Sequence, residues 1–117
     1  METETKHINL SYLSQISGGS KDFELEMMQM FIDQIPDAIT NLGIAVDSKD
    51  WDRVRAISHK AKSSVGIFGM NEIKDNLFFI EKNAKELSNL DEIKTVFDKT
   101  KKLIDEAMEE LKNQINS

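Results

Sequence analysis

The sequence predicts an all-α protein: an antiparallel up-and-down four-helix bundle with a short extra helix at its N-terminus. Apolar residues recur at steps of three and four, the spacing of one helix face, over four long segments. No stretch alternates convincingly with period two, as a half-buried strand would. The breaks between the segments are short, and short connections favour antiparallel neighbours.

The first two predicted helices are separated by Gly18 and Gly19. The short helix covers roughly residues 9–16. Ser20 then supplies an N-cap for the second helix, whose first turn is acidic. Pro36 lies inside this helix and should kink or bound it, because proline lacks a backbone N–H. The apolar stripe of the second helix is Met28, Phe31, Ile32, Ile35, Ile39, Leu42 and Val46.

The remaining three helices each follow a polar or glycine-containing break. Asp50 is expected to cap the third helix, Asn71 the fourth, and either Ser88 or Asn89 the fifth. Gly69 is expected to end the third helix. The expected core-facing residues are Val54, Ile57, Ala61, Ser64, Val65 and Phe68 in the third helix, Ile73, Leu77, Ile80, Ala84 and Leu87 in the fourth, and Ile93, Phe97, Thr100, Ile104, Ala107, Leu111 and Ile115 in the fifth.

Composition restricts the class of protein. A chain of 117 residues, 39% hydrophobic and 31% charged, suits one domain over 1–117, with 1–7 expected as a flexible tail. The absence of cysteine excludes disulfides, thiolate metal sites and a cysteine nucleophile. A net charge of −6 argues against general nucleic-acid binding, and no apolar run reaches the length of a membrane span. The polar N-terminus does not resemble a signal peptide, so we expect a cytoplasmic protein. We also expect a monomer, because one bundle can bury its own apolar stripes.

The third predicted helix carries the chain's candidate chemistry. On a helical wheel His59 lies opposite the core stripe and faces solvent, with Arg55 and Lys62 on its side. Residues 49–62 contain five basic and two acidic residues in an otherwise acidic chain. This pattern makes an anion or phosphate site at His59 a candidate, although a solvent-facing histidine with lysine neighbours is more often part of an ordinary solvated helix face.

Two small residues share the His59 face. Ser63 places a hydroxyl group beside the histidine. Gly66 lies two turns away, where a missing side chain leaves space for a second protein or a bulky group. A glycine inside a helix lowers helix stability by about 0.5–1 kcal/mol relative to alanine. This cost is consistent with a functional role for the missing side chain. The alternative interpretation is a glycine that belongs to the helix end.

The run from Ser58 to Gly69 resembles the active helix of histidine-containing phosphotransfer (HPt) domains. That helix has a histidine, a lysine three residues on, a small residue next, and glycine seven or ten residues after the histidine. Two positions depart from the pattern: Ala61 stands where leucine is common, and Ser63 where glycine is frequent. Nearly the whole chain takes part in the resemblance, and the matching residues are His59, Lys62, Ser63, Gly66 and Gly69, with flanking segments 9–13, 18–19, 30–36 and 80–81.

The resemblance implies a phosphoryl carrier in a multistep His–Asp phosphorelay. His59 would accept a phosphoryl group through Nε2 from the aspartate of one receiver domain and pass it to another. Lys62, with Arg55, would offset charge on the phosphoryl oxygens. Glu81 stands where the family carries Glu or Gln and would accept a hydrogen bond from Nδ1–H of His59. The alternative for Glu81 is a surface residue paired with Lys85.

The resemblance also implies partners and excludes some activities. Response-regulator receiver domains and a hybrid sensor kinase are the expected partners, and Mg²⁺ is expected only on the receiver. No cofactor, metal or ATP site of its own is expected, so the chain would be a carrier rather than an enzyme. Lys85 would face the partner, and Met27 and Met30 would suit a docking patch unless they fill gaps in the core.

Two rival functions remain open from the sequence. A non-catalytic helical adaptor would bind receiver or kinase domains without phosphotransfer. A di-iron bundle is a weaker rival, because it needs Glu-x-x-His pairs on facing helices. Ala56 stands three residues before His59, and His7 follows Glu4 in the polar N-terminus.

Overall fold

A computed structural model describes residues 7–116, and these fold into five helices without a strand. This confirms the predicted all-α class and the extra N-terminal helix. The helices are α1 (Ser11–Ser17), α2 (Lys21–Asp47), α3 (Trp51–Ile67), α4 (Asn71–Glu86) and α5 (Leu90–Asn116).

The four long helices form a closed ring in which each packs against two neighbours. Helix α2 contacts α3 and α5, and α4 contacts the same two helices from the opposite side. Three-residue connections, 48–50, 68–70 and 87–89, join them, so successive helices run antiparallel. The most extensive contact is between α3 and α4. The predicted up-and-down four-helix bundle is confirmed.

Helix lengths divide the bundle into two parts. Helices α2 and α5 have 27 residues each, or about 40 Å at 1.5 Å per residue, whereas α3 and α4 have 17 and 16. The chain's long axis of 44 Å matches the two long helices. Helix α1 contacts α2, and its Leu13 is fully buried. The backbone N–H of Asn9 donates to the carbonyl of Phe68 (2.8 Å), which joins the N-terminal segment to the end of α3.

His7, the last residue of the expected tail over residues 1–7, contacts helix α5. Its backbone N–H donates to Glu110 Oε1 (3.0 Å) in α5. The imidazole Nε2 lies 3.4 Å from Glu106 Oε2, and the side chain is 18% exposed. Residues 1–6 of that tail lie outside the described residues.

Two of the predicted N-caps are confirmed and two are not. Ser20 accepts a hydrogen bond from the N–H of Phe23, and Asp50 accepts one from Arg53. Asn71 does not cap α4, because it is already the first helical residue and follows Met70. The expected break before α5 is correct, but Ser88 and Asn89 direct their side-chain donors to Oδ1 of Asn83 instead.

Pro36 does not bound its helix. Helix α2 continues through it to Asp47, and the proline ring is exposed. The missing N–H leaves the carbonyl four residues earlier, that of Ile32, without its usual intrahelical donor. On an exposed face this loss is tolerated, because water can supply a donor.

The core lies along the axis of the ring and uses most of the predicted stripe residues. Leu42, Val54, Leu77, Ile93 and Leu111 have no exposed surface. Leu87 is a correction: it is exposed and caps α4 with φ of 54°, a left-handed conformation. Buried Thr100 donates its hydroxyl to the carbonyl of Val96, which satisfies it inside the core.

None of the helices within residues 7–116 combines the length and the apolar character that a bilayer crossing needs.

Candidate functional site

Helix α3 presents His59 to solvent because its opposite face is anchored in the core. Val54, Ala61 and Val65 are almost fully buried. His59 lies across the helix from them, and its side chain is 66% exposed. The wheel-based prediction for this residue is confirmed.

Glu81 fixes the orientation of the His59 ring. The Nδ1 atom of His59 lies 2.8 Å from Oε2 of Glu81, across the α3–α4 interface. A carboxylate only accepts hydrogen bonds, so Nδ1 must carry the proton. In the neutral ring the lone pair therefore resides on Nε2. The structure thus places a ring nitrogen with a free lone pair on an exposed helix face.

Lys62 binds the other oxygen of the same carboxylate. Its Nζ lies 2.8 Å from Oε1 of Glu81, and its side chain is 21% exposed. The ammonium also lies over the ring of Phe78, 5.1 Å from the centroid. Glu81 therefore joins an imidazole and an ammonium through one carboxylate. It does not form the Lys85 pair that was the alternative expectation.

The two partners determine the ionisation of Glu81. Partial burial by itself raises the pKa of this carboxyl group. The close ammonium of Lys62 and the hydrogen bond from His59 act against burial and hold the pKa of this group below its ordinary value. At neutral pH Glu81 is accordingly a carboxylate, which accepts a hydrogen bond from His59 and forms an ion pair with Lys62.

A shallow groove of about 390 Å³ runs along the α3–α4 face at His59. Arg55, Ala56 and His59 line it from α3, and Glu81 and Lys85 from α4. Arg55 and Lys85 thus add two cations beside the imidazole. The structure brings together His59, Lys62, Glu81, Arg55 and Lys85 as one site.

Ser63 and Gly66 lie on this face but differ from expectation in their contacts. The Ser63 hydroxyl donates to the carbonyl of His59 (3.5 Å) within the helix and not to the ring. A Cβ built on Gly66 would meet the end of the Lys74 side chain at 3.7–3.8 Å. The space over Gly66 is therefore bordered by a flexible lysine rather than being fully open.

Met27 and Met30 both lie outside the site. Met27 is half-buried against the core, which agrees with the gap-filling alternative. Met30 is exposed on α2. Neither lines the groove at His59.

Comparison with known protein families adds an independent finding. The model of the family described as "Hpt domain" matches residues 26–114, most of the chain. The chain belongs to the Hpt domain family. The matched residues begin in α2 and extend into α5, so they include the whole α3–α4 face. A search of curated proteins and one of solved structures found no match.

Membership in the family carries a general function. Hpt domains transfer phosphoryl groups through a histidine in His–Asp phosphorelays and interact with response-regulator receiver domains. They act as phosphoryl carriers rather than as catalytic enzymes.

Among residues 7–116, no three His, Cys, Asp or Glu side chains are placed to hold a metal ion.

Two residues of the α3–α4 face were missed by sequence reasoning. Phe78 and Lys74 lie on α4 at three and seven residues before Glu81, on the same side of the helix. The signal was present in the sequence, because Phe78 falls outside the stripe formed by Ile73, Leu77 and Ile80. An aromatic residue off the core stripe of an amphipathic helix is a candidate for contact with a neighbouring side chain.

Proposed function

We propose that His59 is the residue of this Hpt domain that accepts the phosphoryl group, through Nε2. One observation carries the proposal: Glu81 occupies Nδ1 at 2.8 Å while the side chain remains largely exposed. The other histidine of the chain, His7, is mostly buried against α5. Exposure and orientation together therefore favour His59.

The transfer follows from this arrangement. The Nε2 lone pair attacks the phosphorus of a partner's aspartyl phosphate, and the N–P bond forms as the P–O bond to the aspartate breaks. The aspartate leaves as a carboxylate. The ring retains the Nδ1 proton and gains positive charge, which the carboxylate of Glu81 offsets.

The cations of the site support the same step. Lys62 is tied to Glu81 in the resting protein, and rotation of its terminal bonds would bring the ammonium toward the phosphoryl oxygens. Arg55 and Lys85, on either side of the groove, supply positive charge toward an acidic receiver active site. Ser63, Gly66 and Met30 would lie at or beyond the edge of that contact.

The expected setting of the protein is part of the proposal. A hybrid sensor kinase and receiver domains act as donor and acceptor, and Mg²⁺ enters with the receiver. The chain acts as a cytoplasmic monomer over residues 1–117, without its own cofactor, metal or autokinase activity. The net charge of −6 opposes nucleic-acid binding.

The proposal is tested with receiver domains charged with a small phosphodonor and Mg²⁺. Each receiver is mixed with wild type, His59→Gln and the matched control His7→Gln, and acid-labile, base-stable phosphate on the chain is followed. We expect rapid labelling of wild type and of His7→Gln, and none of His59→Gln. Labelling of His59→Gln at the wild-type rate would overturn the site. Binding without labelling of any variant would favour the adaptor function.

A further inference from the structure

Phe78 is a large aromatic side chain that the core does not explain. It is 52% exposed on α4, whereas its neighbours Leu77 and Ile80 have no exposed surface. It lies three residues before Glu81, so the two side chains are neighbours on the helix. Its ring centroid is 5.1 Å from Nζ of Lys62. Phe78 therefore contacts the site through the lysine.

A second lysine and phenylalanine pair shows what distinguishes Phe78. Lys94 lies over Phe97 at 5.8 Å. Phe97 is buried in the core, so its position follows from packing, and Lys94 also pairs with Asp47 and Asp98. Within residues 7–116, Lys62 pairs with one carboxylate, that of Glu81, and its ammonium also lies over the exposed ring of Phe78.

The energetics give the ring a role. Ion pairs near the surface contribute little, because water competes for both charges and the long lysine side chain must be ordered. A cation placed over an aromatic face is stabilised by a comparable free energy. The two contacts together restrict Lys62 to the neighbourhood of Glu81, whose other oxygen holds His59.

We propose that Phe78 is a positioning residue, whose ring holds the Lys62 ammonium beside the His59–Glu81 pair and keeps hold of it when the ammonium turns from Glu81 to an incoming phosphoryl group. The proposal rests on the proposed function of His59. Since the ring face is uncharged, the lysine can exchange one anionic partner for another without losing this contact.

The first test uses a donor with no docking surface. Phosphoramidate is mixed with the full chain, where Nε2 would form the N–P bond as ammonia leaves, and phosphohistidine formation is timed. Wild type, Phe78→Tyr and Phe78→Leu are compared, with Tyr12→Leu as a control at 51% exposure on α1. We expect Phe78→Leu to be slower by about two- to fivefold, and Phe78→Tyr and Tyr12→Leu to match wild type. A Phe78→Leu rate equal to wild type would overturn the proposal.

A double-mutant cycle separates positioning from a direct effect. Phe78→Leu is combined with Lys62→Gln, and the same rates are measured. If Phe78 acts through Lys62, the second change slows the Lys62→Gln protein no further. A full additional loss in that background would show that Phe78 acts independently of the lysine and would contradict the proposal.

An NMR measurement on the unphosphorylated protein tests the Phe78–Lys62 contact separately from the proposed function of His59. The ε-methylene protons of Lys62 should show a ring-current shift by NMR that Phe78→Leu removes, while the His59 ring nitrogens stay unchanged. Absence of that shift in wild type would overturn the positioning role. If wild type forms no phosphohistidine with phosphoramidate or any receiver but the shift is present, the function of His59 fails and the Phe78–Lys62 contact stands.

Discussion

The two histidines of this Hpt domain are both close to carboxylates, but their surroundings differ. His59 has its Nδ1 bound to Glu81, while most of the side chain faces solvent. His7 is 18% exposed and lies among Glu106 and Glu110 of α5, and its backbone N–H is bound there as well. If His59 is the phosphoryl acceptor, as proposed, a carboxylate neighbour is not enough to distinguish it from His7. What distinguishes His59 is that one ring nitrogen is bound while the side chain remains exposed.

Removing Glu81 is expected to have the largest effect on this contrast, because it releases both His59 and Lys62. Glu81→Ala should slow phosphoryl acceptance by about tenfold or more, the range for a lost hydrogen bond to a charged group. Glu81→Gln, which retains an acceptor for Nδ1–H, should fall between this variant and wild type. Single-turnover transfer from a charged receiver measures both rates. Equal rates for Glu81→Ala and wild type would remove the orienting role.

Substitutions of Gly66, on the site face, and Gly69, near Asn9 and His7, compare the stability of these two regions. Gly69 has φ of 67°, and a Cβ there would come within 2.4 Å of the Asn9 carbonyl oxygen. We expect Gly69→Ala to lower the free energy of unfolding by about 2 kcal/mol or more. Gly66→Ala meets only ordinary contact with Lys74 and should be neutral or stabilising by up to about 1 kcal/mol. Urea unfolding of both variants decides the matter, and equal destabilisation would contradict it.

Replacing Lys62 should weaken the site without dismantling it. Lys62→Ala is expected to slow transfer by about fivefold, because one partly screened cation is lost while His59 keeps Glu81. Lys82→Ala is a suitable control, since this exposed lysine of α4 does not line the groove. The same single-turnover assay applies. A larger loss in the control than in Lys62→Ala would argue against a specific role for Lys62.

The pH dependence of the free energy of unfolding should report the ionisation of Glu81. Because its folded pKa is depressed, its contribution to stability is fully present above the unfolded pKa of about 4.3 and is lost as the pH falls through the folded value. Comparing His59→Gln with His59→Gln/Glu81→Gln removes the titration of His59 and leaves the Lys62 contact. The stability difference between them should be constant near neutrality and shrink in acid. A difference that grows toward low pH would show the opposite shift.

The sequence was sufficient for those parts of the fold that depend on local spacing. The period of apolar residues predicted each long helix and the outward direction of His59, because core burial fixes a helix's rotation. Ser20 and Asp50 were predictable as caps for the same local reason. Leu87 was misassigned, because periodicity extends past a helix end without marking the left-handed residue that terminates it.

Contacts between distant segments were beyond sequence reasoning. His7 and Glu110 are 103 positions apart, and only the packed bundle brings them together. The Glu81 bond to His59 was expected from the family resemblance, yet its second bond to Lys62 was not. That bond depends on the side-chain positions of two helices at once. Phe78 stands off the core stripe of α4, which the sequence does show, but its contact with Lys62 became visible only in the packed bundle.

The most direct test of the central claim is to locate the phosphoryl group atom by atom. The wild-type chain, labelled with ¹⁵N in its histidines, is phosphorylated by its fastest receiver and examined by phosphorus–nitrogen correlation NMR. We predict a single phosphohistidine, His59 modified at Nε2, with Nδ1 still protonated toward Glu81. Phosphate on Nδ1 of His59, or on His7, would contradict the account.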